Sequence, residues 1–186
     1  MRRLINSTYL TLDGIIGSVG EWPSVDGDDT TGNTIQTELL LACDAVLLGR
    51  QTYESFASVW QGNSGDPYTD KMNSMAKYVV SSTLKDPDWA NTTVINTDVV
   101  AAVDKLKAEP GGDIVQYGFG PLAHTLLDNG LIDEIRLWIH PFFFGKAGPK
   151  DLLFRPGGLT KLRHTDTTTL KSGILIVSYG VLAGDQ

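Results

Sequence analysis

The chain has 186 residues, 41% of them hydrophobic and 20% charged, with a formal net charge of −7. That length suits one domain spanning residues 1–186 and burying a full core. A pI near 4.8 with no basic run argues against nucleic acid as a partner.

Leu4 to Leu12 reads as a first strand, closed by the turn pair Asp13-Gly14. A glycine- and aspartate-rich loop follows to about Gly32, broken by Glu21-Trp22-Pro23, and its acidic stretch reads as solvated. Asn33 or Thr34 is placed to cap a helix running to Cys43, with Ile35, Leu39 and Ala42 on its buried face. Ala45 to Leu48 is a short apolar strand, and Thr52 to Val59 a second helical stretch. Gln61-Gly62-Asn63-Ser64-Gly65-Asp66-Pro67 marks a surface loop. Lys77 to Ser81 and Thr92 to Asn96 are further strands. Asp98 is suited to cap an amphipathic helix through Glu109, with Val99, Val103 and Leu106 on one face and Pro110-Gly111-Gly112 ending it. Ile114 to Tyr117 is a strand, and Pro121 to Asn129 a helix stopped at Gly130, with the proline near the first helical position. Ile135 to Phe144 is a long strand, and Leu159 to Leu170 pairs with Ile174 to Leu182 as a hairpin. The alternation implies an α/β fold with a mostly parallel sheet, helices on both faces and a C-terminal antiparallel hairpin.

Cys43, the only cysteine, excludes an intrachain disulfide and reads as a buried inert thiol. Met1-Arg2-Arg3-Leu4 turns polar at Asn6-Ser7-Thr8, too short an apolar stretch for a signal peptide, and no run approaches the roughly 20 residues of a membrane span. The expectation is a cytoplasmic protein with no membrane partner. His124, His140 and His164 are scattered without metal-ligand spacing, and each reads as structural or exposed. Neither a G-x-S-x-G elbow nor a phosphate-loop lysine motif occurs, which removes most support for hydrolase and nucleotidase readings.

Two stretches carry the chemistry. Leu47-Leu48-Gly49-Arg50-Gln51-Thr52-Tyr53-Glu54 and Asp113-Ile114-Val115-Gln116-Tyr117-Gly118-Phe119-Gly120-Pro121-Leu122-Ala123 each run from an apolar strand through glycine into a helix start. Such a start leaves backbone N–H groups available to phosphate, and Arg50 and Thr52 add a guanidinium and a hydroxyl. Two such places on one chain suit a dinucleotide. Gly118 to Ala123 also matches G-x-G-x-x-[GA], although the motif falls late and Asp133 and Glu134 come early for the usual ribose carboxylate.

Tyr9-Leu10-Thr11-Leu12-Asp13-Gly14-Ile15-Ile16-Gly17, Leu48 to Glu54, Tyr78-Val79-Val80-Ser81-Ser82 and Gly118-Phe119-Gly120 together resemble the dihydrofolate reductase superfamily. Gly130 to Pro141 and Phe144-Gly145-Lys146-Ala147-Gly148 are more similar to the reductase domain of the bifunctional riboflavin-biosynthesis deaminase/reductase. The resemblance covers nearly the whole chain in order. It implies an NADPH-dependent reductase passing hydride directly to a small heterocyclic or imine-like substrate, with no metal. It also implies that Arg50 and Thr52, within Gly49-Arg50-Gln51-Thr52, hold the adenosine 2′-phosphate, with Ser81 and Ser82 beside the adenosine. Gly118, Phe119, Gly120, Pro121 and Leu122 then carry the pyrophosphate and nicotinamide half, and Ile16, Gly17 and the Trp22 loop cover the nicotinamide.

One departure concerns the proton. Folate-reducing members carry a carboxylate where this chain has Asn33, leaving Asp29 and Glu38 as substitutes. Clefts of a parallel sheet open beyond the carboxyl ends of its strands, so Tyr9, Trp22 and Glu38 are expected to border the substrate, with Glu38 fixing or protonating it. A nucleotide-binding module that keeps the fold without turnover is the competing reading, and an ordinary Rossmann dehydrogenase a third. Apolar Ile135 to Ile139 and the closing hairpin, read as edge-forming, together with the resemblance, imply a homodimer.

Overall fold

A computed structural model describes residues 1–27, 30–146 and 148–182. In chain order the elements are β1 (Leu4–Thr11), α1 (Thr30–Ala42), β2 (Cys43–Gly49), α2 (Arg50–Trp60), α3 (Pro67–Ser74), β3 (Ala76–Val80), β4 (Thr92–Ile95), α4 (Val99–Ala108), β5 (Asp113–Tyr117), α5 (Pro121–Asp128), β6 (Glu134–His140), β7 (Leu162–Thr169) and β8 (Leu175–Val181). The strands run β4-β3-β2-β5-β1-β6-β8-β7 in one eight-stranded sheet. The β2–β3, β2–β5, β3–β4 and β1–β6 pairs are parallel, whereas β6–β8 and β7–β8 are antiparallel. This is the mostly parallel sheet with a C-terminal antiparallel hairpin that the alternation of elements implied.

The residues group into two compact units, Met1–Leu4 with Asn33–Tyr117, and Ile5–Gly32 with Gly118–Gln186. In the first, Val46, Leu47 and Leu48 of β2 and Ile114 and Val115 of β5 are fully buried. Strands covered on both faces read as continuous apolar runs, which is why β2 showed no alternation. Each such side chain contributes about 1.5–3 kcal/mol of burial. Lys77 is also fully buried. Its ammonium donates to the carbonyls of Asn73 (2.9 Å), Met75 (3.0 Å) and Ala90 (3.0 Å) and lies 4.7 Å from the Trp89 ring centroid. Burial pulls its pKa down to about 8, while the three carbonyls and the ring face satisfy the charge.

In the second unit, β6 is paired on both sides, by β1 with Tyr9 opposite Trp138 and by β8 with Trp138 opposite Ile176. The expectation that Ile135 to Ile139 lies at an edge is therefore corrected. The terminal strand at this end of the order is β7, which is polar and mostly exposed.

Further local differences have identifiable causes. Helix α1 begins at Thr30, before Asn33 and Thr34, because Thr30-Thr31-Gly32 has low helix propensity and hides a first turn. Its buried side chains are Leu39 and Leu40, while Ala42 is exposed. Asp29 lies outside the described residues. Helix α3 begins within what read as the end of a loop: Pro67 occupies its first turn, and Asp66 caps it, accepting from the N–H groups of Tyr68 (3.1 Å) and Thr69 (3.0 Å). Asp98 precedes α4 in the left-handed region (φ 45°) and its side chain makes no capping bond. Strand β6 ends at His140, short of Phe144, because Pro141 has no N–H to continue a ladder. Cys43 is buried, as expected.

Candidate functional site

In the first unit, parallel β2 and β3 end side by side, with Gly49 opposite Val80. Gly49 to Thr52 and Ser81-Ser82 therefore share the carboxyl edge of adjacent strands. Gly49 is extended (φ −76°, ψ 160°) and precedes α2 with no side-chain cap, so the first-turn N–H groups of Arg50, Gln51 and Thr52 are left to other acceptors. Arg50 is exposed, and its Nε lies 3.8 Å from Glu54 on the next turn, with both side chains about half exposed. Such a pair contributes about 0.3–0.5 kcal/mol at most and leaves the guanidinium recruitable. The Ser81 hydroxyl accepts from the N–H groups of Thr83 (3.2 Å) and Leu84 (2.9 Å), shaping the loop after β3, and Ser82 is exposed beside it. Glu38 is exposed on α1, as is Asn33.

The second unit carries the other glycine turn. Gly118 takes φ +80°, which only glycine adopts without strain, and Gly120 precedes α5 with no side-chain cap. Pro121 opens the helix, leaving the N–H groups of Leu122 and Ala123 in its first turn. The turn is held by β1. The buried Asn6 amide donates to the Gly118 carbonyl (2.8 Å), the Thr8 hydroxyl donates to Asn6 Oδ1 (2.8 Å), and the Gly118 N–H donates to the Ser7 carbonyl (3.2 Å). Phe119 turns inward and packs edge-to-face on His124 at 5.0 Å between centroids, so only its backbone is placed for a ligand. Burial, then the Arg155 charge, hold the His124 pKa below its ordinary value, against the opposing pull of Asp128 and a hydrogen bond with Leu153.

In the same unit, Ile16, Gly17 and Trp22 follow the end of β1, and Tyr9 lies within that strand. The Trp22 indole donates to the Gly17 carbonyl (3.0 Å), and the Ile16 N–H donates to the Asp151 carbonyl (2.6 Å). A Cβ at Gly17 would collide with the Asp151 side chain, so glycine suits the close approach of that residue. Trp22 packs edge-on against His140 (5.1 Å) and Phe142 (5.7 Å), while Tyr9 lies 5.1 Å from His140 and 5.4 Å from Trp138. His140 is nearly buried and its Nδ1 is 3.1 Å from the Trp138 carbonyl. Asp13 ties this edge together, accepting from the Thr11 hydroxyl and the N–H groups of Gly145 (2.9 Å) and Phe144 (3.2 Å). The Thr11 bond first, then the two amides, hold its carboxyl below the usual range.

Sequence reasoning missed Asn6, His140 and Phe142. The polar run Asn6-Ser7-Thr8 within a strand was the signal for Asn6; for His140 it was the following proline at a strand end. Among the described residues no group of three or more His, Cys, Asp or Glu is placed to hold a metal ion. None of the described helices is long and apolar enough to cross a membrane.

A family model described as the RibD C-terminal domain matches residues 2–176. The uncharacterized protein YyaP of Bacillus subtilis (strain 168) is 34% identical over 186 residues, covering 96% of this chain and 94% of the relative. Among solved structures, a protein of Shewanella sp. PV-4 provisionally assigned to riboflavin biosynthesis is similar with a TM-score of 0.75 at 19% identity, over 97% of this chain and 99% of that one. A pyrimidine reductase-like protein of Corynebacterium diphtheriae gives 0.72 at 16% identity, over 98% and 93%. The diaminohydroxyphosphoribosylaminopyrimidine deaminase/5-amino-6-(5-phosphoribosylamino)uracil reductase of Thermotoga maritima gives 0.65 at 14% identity, with 97% of this chain matching 57% of that longer one. At these identities the structural likeness concerns the fold.

Proposed function

The chain belongs to the RibD C-terminal domain family, and from that premise we propose that it is a reductase that binds NADPH and reduces a small planar heterocycle of the pterin or riboflavin-precursor type. The observation that carries this reading is the pair of helix starts after glycine, α2 and α5, each following a parallel strand and each without a side-chain cap. Uncapped first-turn amides are the donors a phosphate needs. When bound, NADPH supplies the hydride.

This chain's own residues bind, orient and exclude water. Arg50 and Thr52, with the backbone of Gly49 and Gln51, hold the 2′-phosphate, and Ser82 borders the adenosine beside the loop shaped by Ser81. Gly118 to Leu122 hold the diphosphate through backbone amides. Ile16 and Gly17 cover the nicotinamide, their positions fixed by Asp151 and Trp22. Tyr9 and Trp22, both against His140, supply a water-poor aromatic border for the substrate ring. Glu38 is the carboxylate on α1 that fixes or protonates the substrate. We also place the protein as a homodimer, with β7 and the part-exposed Leu162 and Leu175 of the hairpin supporting an interface at that end of the sheet; a dimeric mass in light scattering at micromolar concentration supports this and a monomeric mass refutes it.

The experiment is to follow loss of reduced-nicotinamide absorbance with the purified protein and a panel of dihydropterins, aminopyrimidine riboflavin precursors and cyclic imines. Turnover with at least one, reduced sharply by Trp22→Ala and by Glu38→Gln, is the expected result. The exposed Glu38 and Asn33 favour one alternative, a nucleotide-binding module without turnover, and NADPH binding with no oxidation across the panel would establish it.

A further inference from the structure

In the second unit, residues 148–155 come after the end of β6 and lie against the loop that follows β1. None of residues 148–159 is buried, so apolar packing does not hold this stretch in place. Hydrogen bonds do. Pro149–Asp151 form a single 3-10 turn, closed by the Asp151 N–H donating to the Gly148 carbonyl (3.0 Å) and the Gly148 N–H donating to Asp151 Oδ2 (3.0 Å). A turn that short leaves its own carbonyls without helical partners. Arg155 supplies them. Its Nη1 donates to the carbonyls of Pro149 (2.6 Å), Leu152 (3.1 Å) and Phe154 (3.3 Å), and its Nη2 to that of Lys150 (2.6 Å). The planar, multi-donor guanidinium is the side chain that can gather several carbonyls at once.

The stretch so shaped presents its backbone to the residues assigned to cover the nicotinamide. The Ile16 N–H donates to the Asp151 carbonyl (2.6 Å), the Leu153 N–H donates to the Gly14 carbonyl (2.8 Å), and Ile15 forms an antiparallel bridge with Leu152. The Asp151 side chain also stands against Gly17, where a Cβ would collide with it. The same stretch reaches α5, where His124 hydrogen-bonds the Leu153 backbone. Ile15 is buried, but Ile16 and Gly17 are not. Beyond the Trp22 indole on the Gly17 carbonyl, those two residues take their place from Asp151. Asp151 in turn takes its place from the turn whose carbonyls Arg155 gathers.

We propose that Arg155 is a positioning residue: by gathering the carbonyls of this stretch it fixes Ile16 and Gly17 over the nicotinamide ring, and so sets how tightly that end of the cofactor is held. That a nicotinamide lies there rests on the reductase reading; that Arg155 orders Ile16 and Gly17 rests on the hydrogen bonds alone. Arg155 itself touches no reacting atom. Its shape matters more than its charge, because a lysine ammonium is a compact point charge that cannot span carbonyls spread along the chain. Its effect belongs to the nicotinamide end, because the turn from Gly118 to Gly120 has separate support from Asn6 and Ser7.

The test compares the whole unmodified protein with Arg155→Ala and Arg155→Lys, melting curves confirming the fold of each. Amide hydrogen exchange without cofactor, resolved by NMR, comes first. Arg155→Ala should speed exchange of the Ile16 and Leu153 amides by about tenfold or more and leave those of β1 and β6 unchanged. Calorimetric titrations follow with NADPH and with 2′-phospho-ADP-ribose, the matched probe that lacks the nicotinamide. Arg155→Ala should weaken NADPH about tenfold and the shorter probe less than about twofold. Arg155→Lys should lie close to Arg155→Ala in both measurements, and it carries the same predictions alone should the alanine variant not fold. Unchanged exchange at Ile16 in a folded variant overturns the proposal. So does equal weakening of both probes, or full recovery by lysine, which would leave charge alone at work. If neither probe binds the unmodified protein, the nicotinamide role falls with the reductase reading. Faster exchange then still supports Arg155 as the residue that orders Ile16 and Gly17, and unchanged exchange removes that as well.

Discussion

The two glycine turns use one backbone device with opposite side-chain chemistry. At Gly49 the uncapped start of α2 is followed at once by an exposed guanidinium and a hydroxyl, Arg50 and Thr52. At Gly118 to Gly120 the start of α5 is followed by Pro121, Leu122, Ala123 and a histidine whose pKa is pushed down. The first can discriminate by charge, because a guanidinium gains most from a phosphate dianion. The second offers only amides and a weak helix dipole, suited to a group that every dinucleotide shares. Under the proposed reading, specificity for the cofactor would belong to α2, and general affinity to α5.

Arg50→Ala tests that division with the largest effect. It should weaken NADPH by about 1.5–3 kcal/mol and NADH scarcely at all, the loss expected for a hydrogen bond to a charged group. Calorimetric titration of both cofactors checks it, and equal losses would show that Arg50 serves only its pair with Glu54. Asn6→Leu comes next. It leaves the Gly118 carbonyl without its buried donor, so stability should fall by about 1–2 kcal/mol in chemical unfolding. In the folded fraction NADPH and NADH should weaken together, because the turn it supports reads no 2′-phosphate. A loss confined to NADPH would break the comparison.

The smallest effect concerns His124. Its folded pKa lies below the ordinary 6.5, so on acidification the unfolded chain takes up the proton first and stability falls as pH drops through that value. His124→Gln should flatten the stability loss as pH falls below 6.5 without altering cofactor preference. An unchanged acid slope would mean that the imidazole titrates alike in both states.

Much of this fold was legible because its signals are local. The apolar run Ala45 to Leu48, the Pro121 start and Gly130 stop of α5, and the order of alternating elements all act within a few residues, and each has its counterpart in the structure. Helix α3 was hidden because Gly62 and Gly65 signal a turn more loudly than Asp66-Pro67 signals a start. The edge assignment of Ile135 to Ile139 failed because an apolar strand reads the same whether one or both of its sides are paired. The two glycine turns were visible for the reason that each is one contiguous stretch. The side chains around them were not. Asn6 reaches Gly118 across 112 positions, and Tyr68 reaches Tyr117 across 49, so neither partnership has a spacing that a sequence displays. His140 shows the same limit: it became a candidate only when Tyr9 and Trp22, both distant from it in the chain, were found against its ring.

The central proposal is that this chain binds a 2′-phosphorylated dinucleotide. Side-by-side calorimetric titrations of the unmodified protein with NADPH and NADH test it most directly. The account predicts saturable binding of one NADPH per chain, at least about tenfold tighter than NADH. Absence of NADPH binding, or equal affinity for the two, would contradict it.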